Sequence, residues 1–198
     1  MDERHIDHRA IDDPGLITLL ASPLRQEIVD MLAALGETSI AELALQLGRH
    51  ADGLYYHLKL LCRAALVEEL PSGEGGRRYR LAGAPGQPLR LAYRPGGAPH
   101  AQALRKFAHA MLQVAEDDFG AALDANGVVT EGPGRQLWAA RNKAWLSKDE
   151  LAEVNGLLER LCGLMSQPRA PERDQLLSCT FVLAPHAVQA KRRGSGDA

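Results

Sequence analysis

The sequence is poor in the residues that redox, metal and membrane chemistry require. Its three cysteines, Cys62, Cys162 and Cys179, are odd in number and far apart, so neither a Cys-x-x-Cys motif nor a disulfide framework is available. No run nears the roughly 18 consecutive apolar residues of a membrane-spanning helix. Residues 1–15, MDERHIDHRAIDDPG, are polar where a secretion signal would be apolar. The expectation is a soluble cytoplasmic protein without membrane association. Charge of one sign is also lacking: 23 basic against 25 acidic residues leave a net charge of −2. A nucleic-acid partner would therefore need its cations concentrated locally. Aromatic residues make up only 5 % of the chain, so each Tyr and Trp stands out. No internal repeat is visible.

What the sequence does have is punctuated helical periodicity. In DDPGLITLLASPLRQEIVDMLAALG, residues 12–36, Asp12 or Asp13 caps a first helix with Pro14 in its opening turn, and Ser22 with Pro23 starts a second. Leu24, Ile28, Met31, Leu32 and Leu35 keep helical spacing up to Gly36. In TSIAELALQLG, Ser39 and Glu42 have capping-box spacing, and Gly48 marks the stop. HADGLYYHLKLLCRAALV follows, with Leu54, Leu58, Leu61 and Ala65 forming one apolar stripe. Two short β-type runs, LVEEL and RRYRL, flank PSGEGG and predict a hairpin.

Composition shifts at residues 82–99, AGAPGQPLRLAYRPGGAP, which reads as a linker with one short strand, LRLAY. Residues 100–127 predict a long helix with a broad apolar face. Residues 135–146, RQLWAARNKAWL, predict a strand, and 147–165 a helix opened by a Ser147/Glu150 capping box. Residues 175–185, QLLSCTFVLAP, predict another strand. The expected organisation is a DNA-binding domain over 1–83, a linker over 84–98, a dimerisation and effector domain over 99–185, and a disordered tail over 186–198. The fold class is α+β and mainly helical: a winged helix-turn-helix domain, a long helix, and a small α+β carboxy-terminal domain.

Four helices and a hairpin over 14–82 have the order of a winged helix-turn-helix, whose second motif helix enters the major groove. The pieces LASPLRQEIVDML, SIAELALQLG, LYYHLKLLCRAALVEE and RRYRL, in that order, resemble the ArsR-like winged-helix transcription regulators over about 70 residues. The resemblance implies a homodimer on operator DNA, often with an effector. The helical wheel can be read independently. With Leu54, Leu58 and Leu61 facing inward, Asp52, Tyr55, Tyr56, Lys59 and Arg63 turn outward and His57 lies at the margin. Exposed phenols suit phosphates, base edges and thymine methyls, and Lys59 and Arg63 suit phosphates. In the hairpin, Arg78 and Arg80 alternate outward if Tyr79 faces the core, with Arg77 beside them. The expected DNA-facing set is Ser39, Arg49, His50, Asp52, Tyr55, Tyr56, Lys59, Arg63, Arg77, Arg78 and Arg80. Where the family commonly has a capping Ser, this chain has Arg49-His50, a poor cap.

Other readings rank below this one. His57 is expected to satisfy a backbone carbonyl, and nothing near it supplies a catalytic base and orienter. No enzyme, cofactor or metal is expected: His109 and Glu116 share a helix face, but one pair is a weak site. Leu104, Phe107, Met111, Leu112 and Phe119 are the expected dimer contacts. Trp138 and Trp145 are read as core or interface residues first, and as the lining of a small-ligand pocket second. Cys62 reads as a buried, inert thiol. The functional expectation is a transcription regulator, a repressor, that binds double-stranded DNA as a homodimer under small-molecule control. The alternative is a winged-helix protein-interaction module that does not bind operators.

Overall fold

A computed structural model describes residues 9–73, 76–83, 89–93, 97–167 and 169–186. The tip of the hairpin loop, much of the linker and the tail from 187 onward lie outside the described residues, and with them those expectations.

The chain begins with β1 (Arg9–Ile11) and α1 (Pro14–Leu20). The Asp13 carboxylate accepts from the Leu16 amide at 2.8 Å, satisfying one of the helix's orphan donors. In α2 (Pro23–Leu35), Ser22 holds the N-cap position without a side-chain cap bond. The expected cap is replaced there by its backbone carbonyl, which receives the amides of Arg25 and Gln26 at 3.0 Å each. β2 (Thr38–Ser39) leads into α3 (Ile40–Gln46). Only half of the expected capping box forms. Ser39 accepts from the Glu42 amide at 3.2 Å, but the Glu42 carboxylate turns to the Thr38 hydroxyl, 2.8 Å away.

Gly48, at φ 59, ends α3 in the left-handed conformation. The Arg49 amide reaches back to the Ala44 carbonyl at 2.9 Å and Gly48 to Leu45 at 3.2 Å, the paired bonds of a Schellman stop. That turn sets the angle at which α4 (Ala51–Arg63) departs. A similar stop ends α4, with Ala65 in the left-handed position at φ 53. β3 (Val67–Gly73) and β4 (Gly76–Leu81) then form the hairpin, and β2 pairs antiparallel with β4 to complete a three-stranded sheet.

β5 (Leu89–Leu91) pairs parallel with β1, a contact not anticipated from the polar amino-terminal composition. It brings the chain to α5 (Ala98–Asp124), which packs on α1 and α2. The buried Gln26 amide group donates to the Leu20 carbonyl at 2.8 Å and to the Phe107 carbonyl at 3.2 Å, joining α2 to α5. Leu104 and Phe107, expected at a dimer contact, instead pack against this chain's own core. The reason is spatial: α5 lies against α1 and α2, and its first half closes the core there. Leu112 remains 52 % exposed, and Met111 and Phe119 are half-buried.

The core is one cluster, running from Ile11 through the leucines of α3 and α4 to Tyr79 and Ala103. Beyond Ala110 no described residue is buried. α6 (Lys148–Met165) has the expected capping box, with Ser147 and Glu150 bonded at 2.7 and 3.2 Å. The segments expected as strands, 135–146 and 175–185, form no ladder. A strand needs a partner edge to satisfy its amides, and among the described residues only the Arg135 and Gln136 amides of these segments find backbone acceptors, at Gly132 and Val129. The architecture is therefore a mainly helical α+β fold, with a winged helix-turn-helix followed by long helices. No helix among the described residues is long and apolar enough to cross a membrane.

Candidate nucleic-acid interface

α4 is amphipathic in the sense the wheel required. Leu54, Leu58 and Leu61 are buried to 1 % exposure or less, which fixes the helix's rotation about its axis. The opposite face carries Tyr55 (41 % exposed) and Tyr56 (65 % exposed), with Lys59 and Arg63 also exposed. Tyr55, Lys59 and Arg63 follow one another at four-residue steps, so they form one ridge along the helix. Among the described residues, Lys59 and Arg63 make no ion pair. Asp52 lies in the first turn, where its charge suits the helix dipole, while His50 holds the N-cap position without a side-chain bond.

Between this ridge and the hairpin runs a groove of about 430 Å³, lined by Tyr55, Lys59, Cys62, Arg63, Glu69, Arg77 and Tyr79. Tyr79 is 2 % exposed, so its β4 neighbours Arg78 and Arg80 alternate to the other side of the strand. Burial pushes the Tyr79 phenol up, and Glu69 adds to the shift. Burial also raises the Cys62 thiol, with Glu69 again next, although a backbone hydrogen bond at Glu69 works the other way. Cys62 is thus a protonated, poorly nucleophilic thiol at neutral pH.

The three hairpin arginines, expected to face DNA, are each ion-paired. Arg78 Nε lies 2.7 Å from Glu37 Oε1, and Arg78 Nη2 donates to the Glu37 carbonyl at 3.1 Å. Arg80 Nη2 lies 2.8 Å from Glu68 Oε2, and Arg77 Nε lies 3.5 Å from Glu69 Oε1. The strand register explains the pairing, since Glu68 sits directly opposite Arg80 across the ladder. These carboxylates were missed as site residues. For Glu68 and Glu69 the signal was present in LVEEL facing RRYRL, once the two are aligned antiparallel; for Glu37, outside the hairpin, there was none. All six side chains remain 40–57 % exposed, so a phosphate can compete for the arginines.

His57 also departs from expectation. It is half-buried, and its Nδ1 has no hydrogen-bond partner rather than a backbone carbonyl. Burial, then the charge of Arg25, holds its pKa below the usual value, and Tyr56 meets its ring edge-on at 5.4 Å. The imidazole is neutral at pH 7. Ser39 spends its hydroxyl on the α3 cap. Arg49 and His50 are exposed at the turn, and Arg49 lies near Glu27, whose carboxyl burial raises and Arg49 lowers.

Residues 20–69 match the family model described as a helix-turn-helix domain. This part of the chain is a helix-turn-helix domain. The match covers α2 to the start of β3 and leaves out β4 and everything after it. No curated protein matches the sequence. Among solved structures the chain is similar to the oxidized form of MarR from E. coli, at 16 % identity and a TM-score of 0.29, over 74 % of this chain and 83 % of that one. A likeness of that size carries no argument.

Trp138 and Trp145, expected at a core, interface or pocket, lie outside the helix-turn-helix and are 68 % and 90 % exposed. Trp138 instead stacks under the Arg135 guanidinium at 4.0 Å.

Proposed function

We propose that the chain is a transcription regulator, acting as a repressor, that binds operator DNA as a homodimer. α4 lies in the major groove, where Tyr55 and Tyr56 meet base edges and thymine methyls, and Lys59 and Arg63 hold the phosphates of the same groove. The hairpin lies over the flanking backbone. The observation that carries this reading is the ridge Tyr55–Lys59–Arg63. Its cations are unpaired among the described residues, on a helix whose other face is locked into the core. Two such helices about one DNA turn apart, roughly 34 Å, would read a near-palindromic site.

One observation favours the second reading, a winged helix that binds protein rather than operators: all three hairpin arginines are neutralised by carboxylates. The same experiment separates the two. Genomic fragments selected by the full-length protein are sequenced, and binding to the enriched site is measured across a salt series. An enriched, near-palindromic site whose affinity falls steeply with salt supports the regulator. No enrichment over random fragments overturns it.

A further inference from the structure

The carboxy-terminal region carries a large apolar surface with nothing on it. α6 buries no residue at all. Yet Leu151, Val154, Leu158, Leu161 and Met165 recur at steps of three and four, the seam of a helix that packs against another. Leu157 and Leu164 are 59 % and 65 % exposed beside that seam. On either side of α6 lie the two segments with strand-like sequence. In one, Trp138, Ala140, Asn142, Ala144 and Leu146 fall on a single face at two-residue steps, apolar except for Asn142; in the other, Leu177, Cys179, Phe181 and Leu183 do so. Residues 138–146 and 176–186 take part in no hydrogen bond among the described residues. The two segments touch at their roots, where Gln136 Nε2 donates to Gln175 Oε1 at 3.1 Å.

We propose that residues 126–186 form an interlocking arm that a second copy of this chain completes. Strand-like segments of the two copies pair into a shared sheet, and α6 covers its apolar face. Three observations select a second copy as the occupant. The first is area. No described side chain of residues 126–186 is buried, and stable homodimers bury about 1,200–2,000 Å² or more in total.

The second is permanence. Unpaired amides beside exposed tryptophan, phenylalanine and leucine side chains form an edge that associates indiscriminately unless it is always covered. The chain itself is the partner present whenever the chain is. The third is charge. Residues 128–147 carry a net +2 and α6 a net −2, so the first segment of one copy is matched to the helix of the other. This deepens the homodimer of the proposed function and rests on that reading. It assigns dimerisation to the arm rather than to the α5 face.

The test uses the full chain. Sedimentation equilibrium should give a dimer at micromolar concentration. In that dimer the amides of 138–146 and 176–184 should be protected from hydrogen exchange, although a single copy gives them no acceptor. Phe181→Asp with Leu183→Asp should weaken the dimer at least tenfold and expose those amides. Phe181→Leu should leave both unchanged. Both positions are exposed in the single chain (Phe181 42 %, Leu183 51 %), so the variant keeps the helix-turn-helix fold. A monomeric wild type, unprotected arm amides, or a dimer broken by Leu112→Asp but not by the arm variant overturns the proposal. A dimer with protected arms and no operator preference leaves the arm standing and overturns the regulator reading instead.

Discussion

Between Ile11 and Ala110, 16 apolar side chains among the described residues are buried, while after Ala110 no described residue is. Both halves nevertheless contain helices of similar design. α4 and α6 are each amphipathic, each with leucines at three- and four-residue steps. In α4 those leucines meet α2, α3 and β3 of the same chain. In α6 none of them is buried. Periodicity therefore tells which face of a helix needs covering, and says nothing about whether the cover comes from the same molecule. The core of the first half is complete in one copy because four helices and a hairpin are joined by short connections that fold them onto each other. The second half alternates one helix with two strand-like segments, and a lone helix and two edges cannot enclose a core.

The largest expected effect contrasts the two leucine stripes directly. Leu58→Ala removes a side chain that is 1 % exposed and should cost about 2–5 kcal/mol of stability. That loss should be the same at any protein concentration. Leu161→Ala should cost less, and its cost should grow with concentration as the dimer fills. Urea unfolding at two concentrations 100-fold apart measures both. If the Leu161→Ala loss is as large and as concentration-independent as that of Leu58→Ala, α6 finds its cover within the chain and the contrast fails.

A second prediction sharpens the contrast by function. Tyr55→Ala should change which base is preferred at one position of each half-site, by about 1–3 kcal/mol, without altering the monomer–dimer equilibrium. Arm substitutions should do the reverse, weakening all operators together through loss of the dimer. Selection from randomised duplexes, run beside sedimentation on the same variants, reads both effects. An unchanged base preference in the Tyr55 variant would remove that phenol from the reading face.

The hairpin offers a smaller, two-signed effect. Arg78→Ala with Arg80→Ala should weaken binding to every sequence alike, reducing the salt slope by up to about 2. Glu37→Gln with Glu68→Gln frees the same arginines and should strengthen binding at low salt. Part of any gain is limited because exposed ion pairs are worth only about 0–1 kcal/mol. If the glutamine pair leaves affinity unchanged, the hairpin does not reach the phosphates, and its arginines serve the sheet alone.

The helix-turn-helix was legible because its signals are local. Asp13, Ser39, Gly36 and Gly48 mark helix ends within a few residues of the backbone groups they serve. The outward turn of Tyr55 and Tyr56 followed from three leucines on the same helix. What was not legible depended on distant partners. β1 is an unremarkable Arg-Ala-Ile until β5 lies beside it. Leu104 and Phe107 read as a free face because nothing in their sequence says that α1 and α2 lie against them. The hairpin arginines read as free because Glu37 and Glu68 are 41 and 12 residues away. The unpartnered imidazole of His57 is likewise a product of packing, which no wheel reports.

The smallest expected effect is the pH dependence of the first half, to which two groups contribute with opposite signs. His57 has its pKa lowered by burial and by Arg25, so the folded state favours the neutral ring. Its contribution is present above the unfolded value near 6.5 and is lost as pH falls from there through the lower folded value. Asp30 on α2 is crowded from the other direction: burial first, then Asp118 and Glu27, push its carboxyl up to about 6. The folded state favours its protonated form. That contribution is present at low pH and is lost as pH rises from the unfolded value of 3.8 through about 6. Asp30→Asn should therefore stabilise the domain at pH 7 and change little near pH 3.5. The gain should be about 1 kcal/mol or less, because one side of Asp30 still meets water. His57→Gln should flatten the loss between pH 7 and 5, whatever it does to stability at pH 8. Thermal unfolding of each variant across pH 3.5–8 separates the two. A parallel shift of the whole curve for Asp30→Asn would mean that its carboxylate is not crowded at neutral pH, and that α5 does not hold Asp118 against α2 in solution.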